Sequence, residues 1–448
     1  MKPIYLVVIS VAAFAAAPMA PVLADDWPQW MGPDRDSVWR EAGVVSALPA
    51  GGAPVKWRFD VAYGYAGPAV AGGRVYLFDY VVESGKVENL PSKRDRLTGA
   101  ERLTCLDATS GEVLWQEQYP RDYAVSYGGG PRCTPTVDGD RVYTLGAEGD
   151  LVCRRTADGA KLWAVNFREA FGTPTPIWGH SGHPLVLGDT VYCLVGGKGS
   201  VAVAFKKMTG EVRWKNLSAG EPGYCPPTMI NHAGVDQLLI WHPESLNSLN
   251  PKTGDVYWSL PMRPAYGMSL AAPQKRGDLL FVSAIGNLSV LLKLTDDKPG
   301  VDVVWSGNAK RGLRAVNTTP LFEPAGESTP GVIFGVDCES SELMAVSLDG
   351  GARLWATKQP TGVKRGRHGT AFLVRHEPTG GYFLFGEQGD LISARLTAEG
   401  YQETGRQHLL EPTSSAFGRP VVWTHPAFAD RCVFARNDKE LVCVDLSE

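Results

Sequence analysis

One segment recurs along this chain in a fixed frame, and it restricts the possible folds more than any other feature. Residues Leu103 to Trp115 read LTCLDATSGEVLW. The pattern returns as LVCRRTADGAKLW ending at Trp163, VAFKKMTGEVRW ending at Trp214, LNSLNPKTGDVYW ending at Trp258 and MAVSLDGGARLW ending at Trp355, with a worn copy ending at Trp305. Successive tryptophans lie 44 to 51 residues apart. A small residue stands ten before the Trp in each clear copy: Cys105, Cys153, Ala204, Ser248 and Ala345. A glycine stands four before it: Gly111, Gly159, Gly210, Gly254 and Gly351. A period of this length marks a chain built of repeated supersecondary units.

Each unit reads as strand, turn, strand. The apolar run before the turn is short, the glycine supplies a residue able to take positive φ, and the closing strand ends on Trp. Two further strands precede it, as in CTPTV and DRVYTLG from Cys133 to Gly146, joined by Asp138-Gly139-Asp140. Four short strands per unit predict a propeller blade, with the Trp filling the wedge against the next blade. Trp57, Trp115, Trp163, Trp214, Trp258, Trp305 and Trp355 are therefore read as blade-docking side chains. Trp57, in VKWRFDV, has no upstream strands, whereas the C-terminal LVCVDLSE lacks a Trp. Setting Cys443 in the frame and counting from Trp57 leaves eight periods of about 49 residues. The expectation is an all-β, eight-bladed propeller of four-stranded blades, its ring closed by the N-terminal strand completing the last blade. Closure of this kind leaves fewer open sheet edges.

The copies resemble the A-L-D-x-x-T-G-x-x-x-W repeat of quinoprotein-type propellers, a superfamily that includes pyrroloquinoline-quinone alcohol dehydrogenases and the outer-membrane assembly lipoprotein BamB. The opening DWPQWMGPDRDSVW, followed by GYAGPAVAGGRVY, is similar to BamB-like proteins. The resemblance covers nearly everything after residue 26. It implies the propeller fold, and for BamB-like members protein binding. It does not imply a particular activity, because one fold hosts many.

Residues 1–24 read as a secretion leader: Lys2, then the apolar YLVVISVAAFAAA, then Val22-Leu23-Ala24 as a cleavage pattern with the cut after Ala24. No cysteine stands near the cut, so no lipid anchor is expected, and no later run is apolar enough for a membrane span. The expected location is the periplasm or the exterior. Residues 25–53 are expected to form a strap across the propeller, using Trp27, Trp30 and Trp39, with 54–448 the single propeller domain. The longest insertion, ESGKVENLPSKRDRLTGAER, is highly charged and is expected to project into solvent from a hairpin.

Of the eight cysteines, Cys105, Cys153 and Cys443 occupy the small-residue position of the repeat, so mostly free, buried thiols are expected. Cys-Cys and C-x-x-C are absent, so neither a vicinal disulfide nor a cysteine metal motif is expected. His180-Ser-Gly-His183 lacks a carboxylate cluster nearby and reads as hydrogen-bonding loop residues rather than a metal site. No G-x-S-x-G, P-loop or H-E-x-x-H occurs.

In a propeller, the links from each outer strand to the next inner strand cross one face toward the channel. The first four links carry five basic and five acidic residues; the last four carry ten basic residues and one acid, Glu411. The ten are Arg263, Lys310, Arg311, Arg314, Lys358, Lys364, Arg365, Arg367, Arg406 and Arg419. Against a net charge of −4, such an arc would attract anions, and the planar Arg fork suits carboxylate, sulfate or phosphate. Arg263, Arg311, Arg314, Arg365, Arg367, His368 and Arg419 are the candidate ligand- or partner-binding residues. The alternative is that these charges are paired with acidic turns of neighbouring blades and serve solubility. Tyr63, Tyr65, Tyr127, Tyr224 and Tyr266 recur in the links, either as stacking platforms or as wedges between loops.

No catalytic constellation emerges, and no catalytic residue or metal ligand is assigned. The reading is an exported, non-catalytic binding propeller, monomeric, with an envelope or extracellular protein partner or an anionic small molecule or glycan, and no cofactor. The first alternative is a pyrroloquinoline-quinone dehydrogenase. The resemblance implies for it Ca²⁺ at the quinone and a general base, and the arc's links offer only Glu411, Asn308 and Asn317 as strong oxygen ligands. The second is binding or cleavage of an anionic polysaccharide, with His368 as candidate base. The negative net charge argues against nucleic acid.

Overall fold

In a computed structural model, residues 25–323 and 331–448 are described. The proposed leader lies outside them. Eight four-stranded antiparallel sheets follow one another along the chain. Blade 1 comprises Ala69–Ala71, Arg74–Ser84, Asp95–Asp107 and Val113–Pro120. Blades 2 to 7 follow in order, with inner strands Thr136–Asp138, Leu185–Leu187, Thr228–His232, Gln274–Arg276, Leu321–Glu323 and Ala371–His376. Blade 8 takes Ala427–Ala429, Cys432–Arg436 and Glu440–Asp445 from the C-terminus and Val55–Asp60 from the N-terminus. Trp57 pairs directly with Cys443, so the eight blades and the N-terminal closure expected from the repeat are both present. Among the described residues no helix is long and apolar enough to cross a membrane.

The register explains why a small residue precedes each Trp by ten. In blade 1, Tyr76, Cys105 and Trp115 are direct neighbours on three adjacent strands. The same row is Tyr143, Cys153 and Trp163 in blade 2, Tyr192, Ala204 and Trp214 in blade 3, and Phe334, Ala345 and Trp355 in blade 6. The two outer rings of each row meet over the small residue, with centroids 6.1 Å apart in blade 1 and 5.9 Å in blade 2. A larger central side chain would hold the rings apart.

The indoles then reach the next blade. Trp57 Nε1 donates to Ala108 O (3.0 Å), Trp115 to Thr156 O (2.9 Å), Trp163 to Lys207 O (2.9 Å), Trp214 to Pro251 O (2.9 Å), Trp305 to Leu348 O (2.8 Å) and Trp355 to Thr397 O (2.8 Å). Trp258 departs from the series and donates within its own blade, to Gln237 Oε1 at 3.0 Å. The cause lies in blade 5, whose outer turn is the worn copy: its Gly300 lies against Thr295 and not under Trp258.

The strap is buried along the inner edges. Trp27 bridges Val70 of blade 1, Val137 of blade 2 donates to Pro28 O, and Val38–Trp39 pairs in parallel with Arg375–His376 of blade 7. Trp27, Trp30 and Trp39 are all buried. All eight cysteines are buried and free.

The charged insertion extends a hairpin and keeps most of its charged side chains exposed, but it does not stand free in solvent. It arches back across the end of the channel, because it carries its own anchors. Val87 packs with Tyr80, Leu97 and Tyr123, and Tyr80 and Tyr123 stack at 4.0 Å. The buried Asp95 carboxylate accepts from the N–H groups of Glu88 (3.0 Å) and Gly128 (3.2 Å). Arg94 donates to Ala124 O (2.6 Å) and Thr175 O (3.1 Å).

Candidate functional site

A cavity of about 600 Å³ occupies the channel on the face where the links converge. Each of the eight links places at least one residue on its wall: Tyr65, Tyr127 and Arg132, Trp178 and His183, Tyr224, Tyr266, Asn317, Arg367 and His368, and finally Phe417, Trp423 and His425. Trp30 of the strap closes the inner end, stacked on His183 at 4.9 Å and edge-on to His425 at 5.8 Å. Pro91 and Ser92 of the arched insertion complete the rim. Size and aromatic lining are those of a small-molecule site.

Of the seven candidates in the basic arc, only Arg367 and His368 line this cavity. Arg314 is held bidentately by the fully buried Asp337 carboxylate, at 2.8 Å through both Nε and Nη2. Arg419 Nε donates to Glu387 Oε1 at 2.6 Å, and Glu387, also fully buried, takes Trp423 Nε1 at 3.1 Å as well. Arg367 pairs with Glu339 through Nη2 alone. Arg311 lies at the outer rim, donating to Gly350 O, while Arg263 and Arg365 are exposed away from the cavity. The members of the arc nearest the channel, Arg314, Arg367 and Arg419, are thus each paired with a carboxylate. Asp337, Glu339 and Glu387 sit at or beside the turn between a blade's second and third strands. Those turns reach the same face as the links, and a charge count confined to the links omits them.

The cation that does stand in the wall is Arg132, from a link whose charges balance. Its Nε donates to Trp178 O (2.9 Å) and its Nη2 to Ser126 O (2.8 Å) and Tyr127 O (2.6 Å), and its guanidinium lies 5.3 Å from the Tyr65 ring centroid. Among the described residues no carboxylate pairs with it. Beneath the floor, Arg35 donates to the carbonyls of His183 and Pro227 and to Gln29 Oε1, again without a carboxylate; burial lowers its pKa to about 9. The sequence signal for Arg132 was its place near the end of a link, four residues before the inner strand Thr136–Asp138; Arg35 lies in the aperiodic strap and had none.

The imidazoles of the wall and three of its phenols are held neutral. Burial pushes the His425 imidazole down to about 3. His183 is pushed well below its ordinary value by burial, then by Arg35 and His425. His368, stacked on Phe417 at 4.6 Å, is lowered to about 4 by burial and by Arg367. The phenols move the other way: burial raises Tyr127 to about 12 and pushes Tyr65 and Tyr224 up as well. None of these groups is poised near neutral pH, where a general acid or base works best. Among the described residues the wall carries no Asp or Glu.

That composition decides how the site suits a calcium-held quinone. The cation would need anionic oxygen ligands, and the reaction a general base. Asn317 is the one oxygen ligand foreseen in the sequence that reaches the wall. Glu411 is exposed and meets His408 (3.2 Å), and Asn308 caps the outer turn holding Lys310 and Arg311. Among the described residues no group of three or more His, Cys, Asp or Glu is placed to hold a metal ion. The residues present do not fit that cofactor.

Comparison with known proteins agrees with the architecture. The BamB structure from Moraxella catarrhalis superposes with a TM-score of 0.50 at 13% identity, covering 87% of this chain and 98% of that one. The quinohemoprotein alcohol dehydrogenase from Comamonas testosteroni superposes with a TM-score of 0.59 at 13% identity, covering 95% and 81%. At such identity the likeness is one of fold. Among curated proteins no sequence relative matches. Residues 99–357, more than half of the chain, match the family model for outer membrane protein assembly factor BamB. The repeat frame, the eight closed blades and this match agree, and the chain belongs to the BamB family of quinoprotein-repeat β-propellers.

Proposed function

We propose that this protein is a binding propeller of the cell envelope or exterior, exported by the leader read in residues 1–24, and that its work is recognition rather than oxidation. The observation that carries this reading is the wall of the central cavity. All eight links build an aromatic-lined chamber with no carboxylate among its described residues, which withholds both the ligands a calcium-held quinone needs and a carboxylate base. Membership in the BamB family supports a place in the envelope and a binding role.

The test is titration of the purified protein with pyrroloquinoline quinone and Ca²⁺, followed by an alcohol oxidation assay with an artificial electron acceptor. Neither saturable quinone binding nor quinone-dependent turnover is expected. Turnover that requires the quinone would overturn the reading.

A further inference from the structure

The cavity wall holds polar atoms that the protein leaves without partners. Tyr224 is 2% exposed and His183 7%. The phenol oxygen of Tyr224 and both ring nitrogens of His183 make no hydrogen bond of good geometry among the described residues, although the Trp178 and Ser181 backbones stand near them, and the same holds for the phenol oxygens of Tyr65, beside Ser414, and Tyr127. All four side chains line the same chamber. Buried polar atoms are rarely left unpaired, and each costs about 1–3 kcal/mol when it is. Several converging on one space describe a site whose occupant is itself polar.

These groups also state what kind of polar occupant. A phenol donates one hydrogen bond and accepts others; a neutral imidazole donates through one nitrogen and accepts through the other. Such groups match hydroxyls, which do both. Between them stand the rings of Trp30, Trp178, Phe417 and Trp423, flat surfaces suited to an apolar ring face. A body with hydroxyls on its edge and C–H groups on its faces is a sugar ring.

The charge of the wall adds a sign. Its charged residues are Arg132 and Arg367. Arg132 has given its N–H groups to backbone carbonyls and acts through its field. Arg367 is half exposed, and of its guanidinium nitrogens only Nη2 has a partner among the described residues. Glu339 offsets part of the Arg367 charge from outside the wall, whereas no carboxylate pairs with Arg132 among the described residues, and with no Asp or Glu among the described lining residues the remaining field favours an anion and opposes an amine.

We propose that the central cavity binds an acidic saccharide, a mono- or disaccharide unit bearing carboxylate or sulfate. Its ring faces lie against the aromatic walls, its hydroxyls on Tyr65, Tyr127, Tyr224 and His183, and its charge toward Arg367. This deepens the reading of the protein as a binder and names its ligand class.

Calorimetric titration of the purified protein with digalacturonate, with a sulfated galactose disaccharide and with neutral digalactose tests it. At least one acidic disaccharide binds with one site per chain, and the neutral one binds at least tenfold more weakly. Tyr224→Phe and Tyr127→Phe keep the ring and remove only an unpaired hydroxyl. Each leaves the melting temperature of the free protein unchanged or raised and weakens binding about tenfold. Arg367→Gln removes the preference for the acidic sugars. Failure of all three sugars to bind, equal affinity for the neutral one, or wild-type affinity in Tyr224→Phe overturns the proposal. None of these results bears on the quinone test, so the two readings fail separately.

Discussion

A Cβ placed on Gly210 would stand 2.7 Å from Cε3 of Trp163, the docking tryptophan of the preceding blade. The same approach recurs at Gly159 beneath Trp115 (2.6 Å) and Gly254 beneath Trp214 (2.5 Å). The turn glycine therefore serves two needs at once: a left-handed φ of 73° at Gly210, and a bare surface on which the neighbour's indole rests.

Gly210→Ala separates from a turn glycine without that neighbour. Gly188 has a φ of 59° and nothing within 4 Å of its would-be Cβ. Gly188→Ala is expected to cost about 1 kcal/mol from backbone strain alone. Gly210→Ala adds a displaced indole and is expected to cost at least twice as much. Urea unfolding of the two variants checks this; equal losses would show that the docking contact does not restrict the turn.

The Arg419–Glu387 pair is expected to support the fold. Removing the guanidinium leaves a carboxylate at 0% exposure held only by Trp423 Nε1 and Thr370 N. Breaking a buried pair from one side costs about 3 kcal/mol or more. Arg419→Met is expected to lose about that much, and Arg419→Met with Glu387→Gln to recover most of it. Denaturant midpoints of the single and double variants measure the difference.

Glu101 predicts a pH dependence. It is fully buried, accepts from the phenols of Tyr119 and Tyr123 and from Ala147 N, and is raised to about 7 by burial and by Asp150. The folded protein keeps this proton in the window from about 4.5 to 7, where the unfolded chain releases it. The contribution to stability is therefore full below the ordinary carboxylate range and is lost as pH rises toward 7, amounting to about 2–3 kcal/mol. Buried imidazoles oppose this trend in the total, so the readout is the unfolding free energy of the wild type minus that of Glu101→Gln, which should fall by about 2–3 kcal/mol from pH 5 to 7.5; a difference constant with pH would show that Glu101 is ionised in the fold.

The imidazoles act in the opposite direction. His180 and His425 are both lowered by burial to about 3, so they stay neutral in the fold while the unfolded chain protonates near 6.5. Their contribution is present above 6.5 and declines as pH falls below it. Ring resonances of His180 and His425 are expected to keep their neutral shifts down to pH 5 by NMR. Titration near 6.5 would mean that these rings are solvated.

The blades were legible because the information for them is local and repeated. Strand, turn glycine and Trp recur within one unit, and each indole needs only the next turn. Even the departure at Trp258 was foreshadowed by the worn copy after it, although its bond to Gln237 was not. The anchorage of the insertion was not legible because its charges outnumber its apolar residues, yet Val87, Asp95 and Leu97 suffice to pin it down. The partners of the basic arc were not legible for a different reason. The charges of the links were counted, while Asp337, Glu339 and Glu387 enter from the turns between second and third strands.

From the sequence alone follow the propeller, its eight blades, the closure by Val55–Asp60 and the burial of the repeat-position cysteines. A repeat carries its packing rule in every copy, so one dimension is enough to read it. The cavity needed the tertiary structure. Its wall is assembled from the eight irregular links, each giving a few side chains, and from Trp30 of an aperiodic strap. Only ring closure brings Tyr65 and Trp423, far apart in the chain, onto one chamber, and only burial makes their neighbours' unpaired atoms costly. That is a property of where the links end, which no periodicity encodes.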